Sequence, residues 1–86
     1  MPRVSEFFGI AIYMYYNDHA PPHFHAEYAE DEAVISIETL AVIAGRLRPR
    51  ALGLVAEWAA LRQEELRQPW LQAKNLEPTG KIAPLP

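Results

Sequence analysis

Eighty-six residues, half of them hydrophobic and 22% charged, with a net charge of −3 and no cysteine, describe one small folded domain. That balance excludes a disordered chain, a disulfide-stapled scaffold, a thiolate metal site and a surface that holds nucleic acid by bulk positive charge. A domain of this size buries only roughly 60–65% of its unfolded surface, so an oligomer interface or a partner protein is expected to support it.

The N-terminal residues 1–6 carry no signal-peptide pattern, and they lead into an apolar run that Asn17 and Asp18 stop. The run is shorter than the ~20 residues of a membrane span, so the expectation is a soluble, cytoplasmic protein with no membrane partner. Residues 7–16 alternate Ile10, Ile12, Met14 and Tyr16 with Ala11, Tyr13 and Tyr15, and β-branched and aromatic types dominate. They are read as one strand with apolar character on both faces. Residues 17–22 form a loop, because Asn17-Asp18 favours a turn and Pro21-Pro22 cannot donate to a ladder.

Residues 23–29 alternate again. His23, His25 and Glu27 face one way, while Phe24, Ala26 and Tyr28 face the other. Glu30-Asp31-Glu32 reads as an acidic turn, residues 33–37 as a third strand, and residues 40–44 as a fourth that Gly45 ends. Pro49 stands where proline suits the first turn of a helix. Beyond it the apolar period lengthens to about 3.6, and Leu52, Leu54, Val55, Ala56, Trp58, Ala59 and Leu61 mark a wide face for packing on a sheet. Leu66, Trp70 and Ala73 continue the pattern, but Pro69 predicts a break between Arg62 and Pro69. The expected fold class is α+β: a four-stranded antiparallel meander followed by two C-terminal helices packed on one face. Residues 1–76 form the domain, and 77–86 form an extended, proline-rich tail that either covers a sheet edge or frays.

All three histidines fall between residues 19 and 25, on either side of the double proline. Histidines at i and i+2 on a strand share a face, with Cβ atoms roughly 6.5–7 Å apart. Three readings of the stretch stand. His19, His23 and His25, with Asp18 and Glu27, form a ligand set for a divalent metal, zinc first, with an open catalytic position. Alternatively, His19, His23 and His25 act without metal as general acid and base on a phosphodiester. In the third reading the histidines and Asp18 order a hairpin loop, and the protein is a binding module.

Phe7-Phe8-Gly9-Ile10, Met14-Tyr15-Tyr16-Asn17-Asp18-His19, Pro21-Pro22-His23-Phe24-His25-Ala26-Glu27-Tyr28, Ala33-Val34-Ile35 and Glu57-Trp58 together resemble the bacterial family DUF4160. The resemblance covers nearly the whole chain, and Pro-Pro-His-Phe-His is its most specific motif. It implies no assigned activity. It does imply a small stand-alone protein encoded beside a DUF2442-type neighbour, in a two-gene, toxin–antitoxin-like module. Pro69 before Trp70 departs from the helix former expected there.

Arg46, Arg48 and Arg50 alternate into the start of the first helix, where free N–H groups favour phosphate. They are the candidate RNA or phosphate contact; the competing reading is a solvated loop, since no glycine-rich cradle accompanies them. Tyr13, Tyr15, Tyr16 and Tyr28, with Phe24, form either a base-stacking platform or part of the core or an interface. The function expected is therefore one component of a two-gene module with a histidine site for metal-assisted or acid–base phosphodiester hydrolysis. The alternative is a non-catalytic module that docks a cognate protein or a second copy of itself.

Overall fold

A computed structural model describes residues 3–16 and 18–86. Asn17, which opens the predicted turn, and Met1 and Pro2, at the start of the predicted leader-free segment, lie outside the described residues. Five strands, β1 (Arg3–Phe7), β2 (Ile10–Tyr13), β3 (His23–Tyr28), β4 (Asp31–Ser36) and β5 (Val42–Arg46), precede one helix, α1 (Pro49–Lys74). The strands form a single antiparallel sheet in sequence order, β1-β2-β3-β4-β5. The class is α+β as expected, but with five strands rather than four and one helix rather than two.

The extra strand comes from the first apolar run, which is a hairpin rather than one strand. Phe7 pairs with Ile10, leaving Phe8 and Gly9 as a two-residue turn with φ of 50° and 80°. Left-handed backbone at both central positions is the twist-matched hairpin turn, and Asn or Asp usually fills the first of them. With phenylalanine there, the sequence pattern hides the turn. Gly45 does not end the last strand either; it lies within β5 at φ 68°. A Cβ at Gly45 would press on the Glu32 carbonyl, so the close approach of β4 and β5 requires glycine.

α1 runs unbroken through Pro69. Proline inside a helix forfeits one backbone hydrogen bond and crowds the carbonyl four residues earlier, at a cost of about 3 kcal/mol. Leu66, Pro69, Trp70 and Ala73 are all buried, and that burial offsets the loss. A leucine side chain such as Leu66 contributes about 1.5–3 kcal/mol when fully withdrawn from water. The face of α1 that meets the sheet is narrower than predicted: Ala51, Val55, Trp58 and Ala59 are buried, while Ala56 and Leu61 are exposed.

The core lies between α1 and one face of the sheet. Ile10 and Ile12 of β2, Phe24 and Ala26 of β3, and Ala33 and Ile35 of β4 point into it. Trp58 is fully buried, tilted against Phe7 and edge-on to Phe24, and its indole N–H donates to the Ala83 carbonyl at 2.8 Å. Tail residues Ile82 and Leu85 are buried, and the Ile82 N–H donates to the Val4 carbonyl at 2.7 Å. Among the described residues no helix covers the other face of the sheet; His25 lies on it, and His23 lies at its margin against Trp70 of α1. Among the described residues, no helix is long and apolar enough to cross a membrane.

Candidate functional site

The strand pleat sends Phe24 and Ala26 into the core and His25 and Glu27 to the open face. His23, at the start of β3, lies between that face and Trp70 of α1, with ring centroids 5.0 Å apart. The connection between β2 and β3 folds back so that Asp18 lies over the two imidazoles. Its Oδ2 is 2.8 Å from His23 Nε2 and 3.5 Å from His25 Nε2. One ligand atom each from Asp18, His23 and His25 lies within 4.8 Å of the other two. The side chains are 15%, 5% and 11% exposed respectively, so the cluster is shielded but reachable from one side.

The outer nitrogens define the electronic arrangement. His23 Nδ1 is 2.6 Å from the Pro21 carbonyl, in the loop that the double proline shapes (the Ala20–Pro21 peptide is cis). Pro21 O can only accept, so Nδ1 carries the proton and donates it. Nε2 of a neutral ring then presents a lone pair toward Asp18. Its carboxylate also only accepts, so the pair is satisfied by a second ring proton or by a cation between them. His25 Nδ1 is 3.3 Å from Glu32 Oε2, within ion-pair distance but off hydrogen-bond alignment. Tyr15 stacks on the His25 ring, with centroids 4.1 Å apart and planes 13° from parallel, and its hydroxyl lies 3.4 Å from the same Glu32 oxygen.

Burial of the Asp18 carboxyl acts to raise its pKa. The hydrogen bond from His23, the His19 backbone N–H at 2.9 Å, the charge of His23 and the contact with His25 outweigh burial, and the net shift is downward. Asp18 is therefore ionised near neutral pH. Burial first, then the charge of Glu32, push the Tyr15 phenol above its ordinary value, so it stays protonated and donates.

The sequence-derived set divides. Asp18, His23 and His25 come together; His19 is 89% exposed, with Nε2 3.9 Å from Asp18 Oδ1, at the rim of the cluster. Glu27 lies two residues along the open face and contacts the Tyr13 hydroxyl at 3.5 Å, outside the cluster. The arginines are elsewhere. Arg48 pairs with Asp31 at 3.0 Å and with Glu30 at 3.6 Å, and Arg50 helps line a separate cavity with Phe8, Tyr28 and Leu54. Arg46 is exposed on β5, opposite Glu32 in the β4–β5 register.

The histidines open into a cleft of about 390 Å³ walled by Tyr15, Pro21, Val34, Ile43 and Ala44. Its size is that of a small-molecule site. The sequence reading missed Glu32, Val34, Ile43 and Ala44 as neighbours of the histidines. Strand pairing brings them there, and nothing local to residues 17–28 signals it.

Fold and cluster together define an α+β protein whose antiparallel sheet, backed by one helix, carries a two-histidine, one-aspartate group on its open face. The chain belongs to the family described as "Domain of unknown function (DUF4160)", whose sequence profile matches residues 9–71. No curated protein and no solved structure matches it.

Proposed function

We propose that this chain binds a divalent first-row metal ion through Asp18, His23 and His25, and that it is a metal-assisted hydrolase, with phosphodiesters as the substrate class put forward. The observation that carries the reading is the convergence of His23 Nε2, His25 Nε2 and Asp18 Oδ2, with His23 held from behind by the Pro21 carbonyl. A ligating histidine commonly donates its other ring N–H to a backbone carbonyl or a carboxylate, which fixes tautomer and orientation. Two imidazoles and one carboxylate suit zinc and its first-row neighbours, and three protein ligands leave a position open on the cleft side. A cation held there would act as a Lewis acid on a phosphoryl oxygen.

The protein's own groups supply position and weigh against a metal-free acid–base site. His23 has an oxygen against each ring nitrogen and is 5% exposed, which speaks against its serving as a free general base. Among the described residues no arginine or lysine lines the cleft, so a metal would provide the positive charge that phosphate needs.

Elemental analysis of the untagged protein, beside a His23→Ala/His25→Ala variant, tests the assignment. One equivalent of a first-row metal per chain, absent from a folded double variant, supports it. A native protein that takes up no zinc, manganese, iron or nickel on titration sinks it. In the two-gene setting that the family resemblance implies, any growth inhibition by this chain would also need both histidines.

One set of contacts favours the second reading, a binding module with an ordered loop. Asp18 accepts from the His19 N–H and from His23, and His23 also reaches Pro21, so the same residues pin the loop to β3. On that reading the double variant loosens the loop and no metal binds.

A further inference from the structure

Phe8 is at odds with its turn. It holds φ 50° at the first central position of the β1–β2 hairpin, where asparagine, aspartate or glycine sits easily and a bulky side chain is strained. The core gains little from the ring in return, because Phe8 is 61% exposed. Strain retained without a packing reward points to a role outside the fold. The ring borders a cavity of about 270 Å³ that has no described lining residue in common with the histidine cleft. Buried Ile10 and Ala51 form the base of this cavity, and half-buried Tyr28 and Leu54 form its sides. Tyr28 is held in place: its Cε1 lies 3.4 Å from where a Cβ on Gly9 would sit, and the Arg48 guanidinium stands over its ring, 5.2 Å from the centroid.

Charge at the cavity is uneven. Arg48 is neutralised by Asp31 at 3.0 Å and Glu30 at 3.6 Å. Arg50, also in the lining, forms no ion pair among the described residues, and the first turn of α1 contains no acidic residue. We propose that this cavity binds a small aromatic monocarboxylate, with its ring against Phe8, Tyr28 and Leu54 and its carboxylate on the Arg50 guanidinium. Arginine recognises a carboxylate through two parallel N–H donors, and aromatic walls favour a flat apolar body. One uncompensated guanidinium matches one negative charge, while Asp31 and Glu30 nearby oppose a phosphate dianion. The volume is just below the roughly 300 Å³ at which small-molecule sites begin, so the ligand is small.

Calorimetric and amide-NMR titration of the full chain with benzoate, phenylacetate and 4-hydroxybenzoate tests the site, beside benzyl alcohol and phenyl phosphate. At least one carboxylate is expected to saturate with a Kd of about 1 mM and to shift amides of residues 8–10, 28 and 50–54. Arg50→Gln, at an exposed position, should weaken it at least about tenfold. Phe8→Asn suits the turn better, so it should weaken binding while melting no lower than wild type. No saturation by any of the three carboxylates up to about 20 mM would overturn the proposal. So would equal binding of benzyl alcohol, tighter binding of phenyl phosphate, or affinity indifferent to both substitutions.

Discussion

His25 Nδ1 stands 3.3 Å from the Glu32 carboxylate across the β3–β4 hairpin, while its Nε2 faces Asp18. Glu32 is thus placed behind the imidazole, on the side away from the proposed metal. Partners in this position typically alter metal affinity by about 10–100-fold. Glu32→Gln should weaken zinc binding within that range in calorimetric titration while leaving the ligand count unchanged. Glu27→Gln, on the same face but engaged with Tyr13, should leave affinity as it is. Equal affinities for wild type and Glu32→Gln would remove Glu32 from the site.

Asp18 links stability to acidity. Its carboxyl has a lower pKa in the folded chain than the ordinary aspartate value, despite burial, because His23 and the His19 N–H favour the ionised form. A carboxyl shifted this way adds stability above its unfolded pKa of ~3.9 and loses it as pH falls through the folded value. In metal-free protein, Asp18→Asn should be less stable than wild type at neutral pH, and the gap should close below about pH 4. Urea midpoints measured across that range show the convergence; a constant gap would mean that ionisation of Asp18 contributes nothing.

Two glycines should respond in opposite directions to alanine. Gly45 has φ 68° and lies against the Glu32 carbonyl, whereas Gly53 sits in α1 with open space where a Cβ would go. Gly45→Ala should cost about 1–3 kcal/mol through strain, and Gly53→Ala should add about 0.5–1 kcal/mol through helix propensity. Chemical denaturation of both variants reads the signs directly. Because Gly45 also sets the approach of β5 to β4, its variant should show faster amide exchange along β5.

Pro69→Ala should stabilise the protein. It restores a helix hydrogen bond and relieves the clash that makes proline cost about 3 kcal/mol, while giving up some buried surface and some stiffness of the unfolded chain. The expected net gain is about 1–2 kcal/mol, read as a rise in the thermal midpoint. A loss of stability would mean that the Pro69 ring fills space beside Trp70 and Leu66 that alanine leaves empty.

Periodicity along the chain was enough to place β3, most of β4, the loop over residues 18–22 and the helical segment after Pro49, although Asp31 and Glu32, read from the sequence as part of an acidic turn, belong to β4. It was also enough to put His23, His25 and Glu27 in one row, because a pleated strand turns successive side chains to opposite faces whatever surrounds it. The class and the family were legible for the same reason: local residue types and a distinctive Pro-Pro-His-Phe-His run.

Other outcomes depended on where distant segments meet. Asp18 joins the histidines while His19, next to it, stays at the rim, because the path of the loop rather than the order of residues sets which group lies over β3. Val34, Ile43 and Ala44 reach the cleft, and Glu32 reaches His25, through the β3–β4–β5 register. α1 crosses Pro69 because packing of Leu66, Trp70 and Ala73 outweighs a local penalty. The sequence by itself determined the strand faces and the histidine row, since both follow from backbone geometry within a few residues. Only the tertiary structure decided which group joins the two histidines and what walls the cleft, since each is a sum over contacts between residues far apart in the chain.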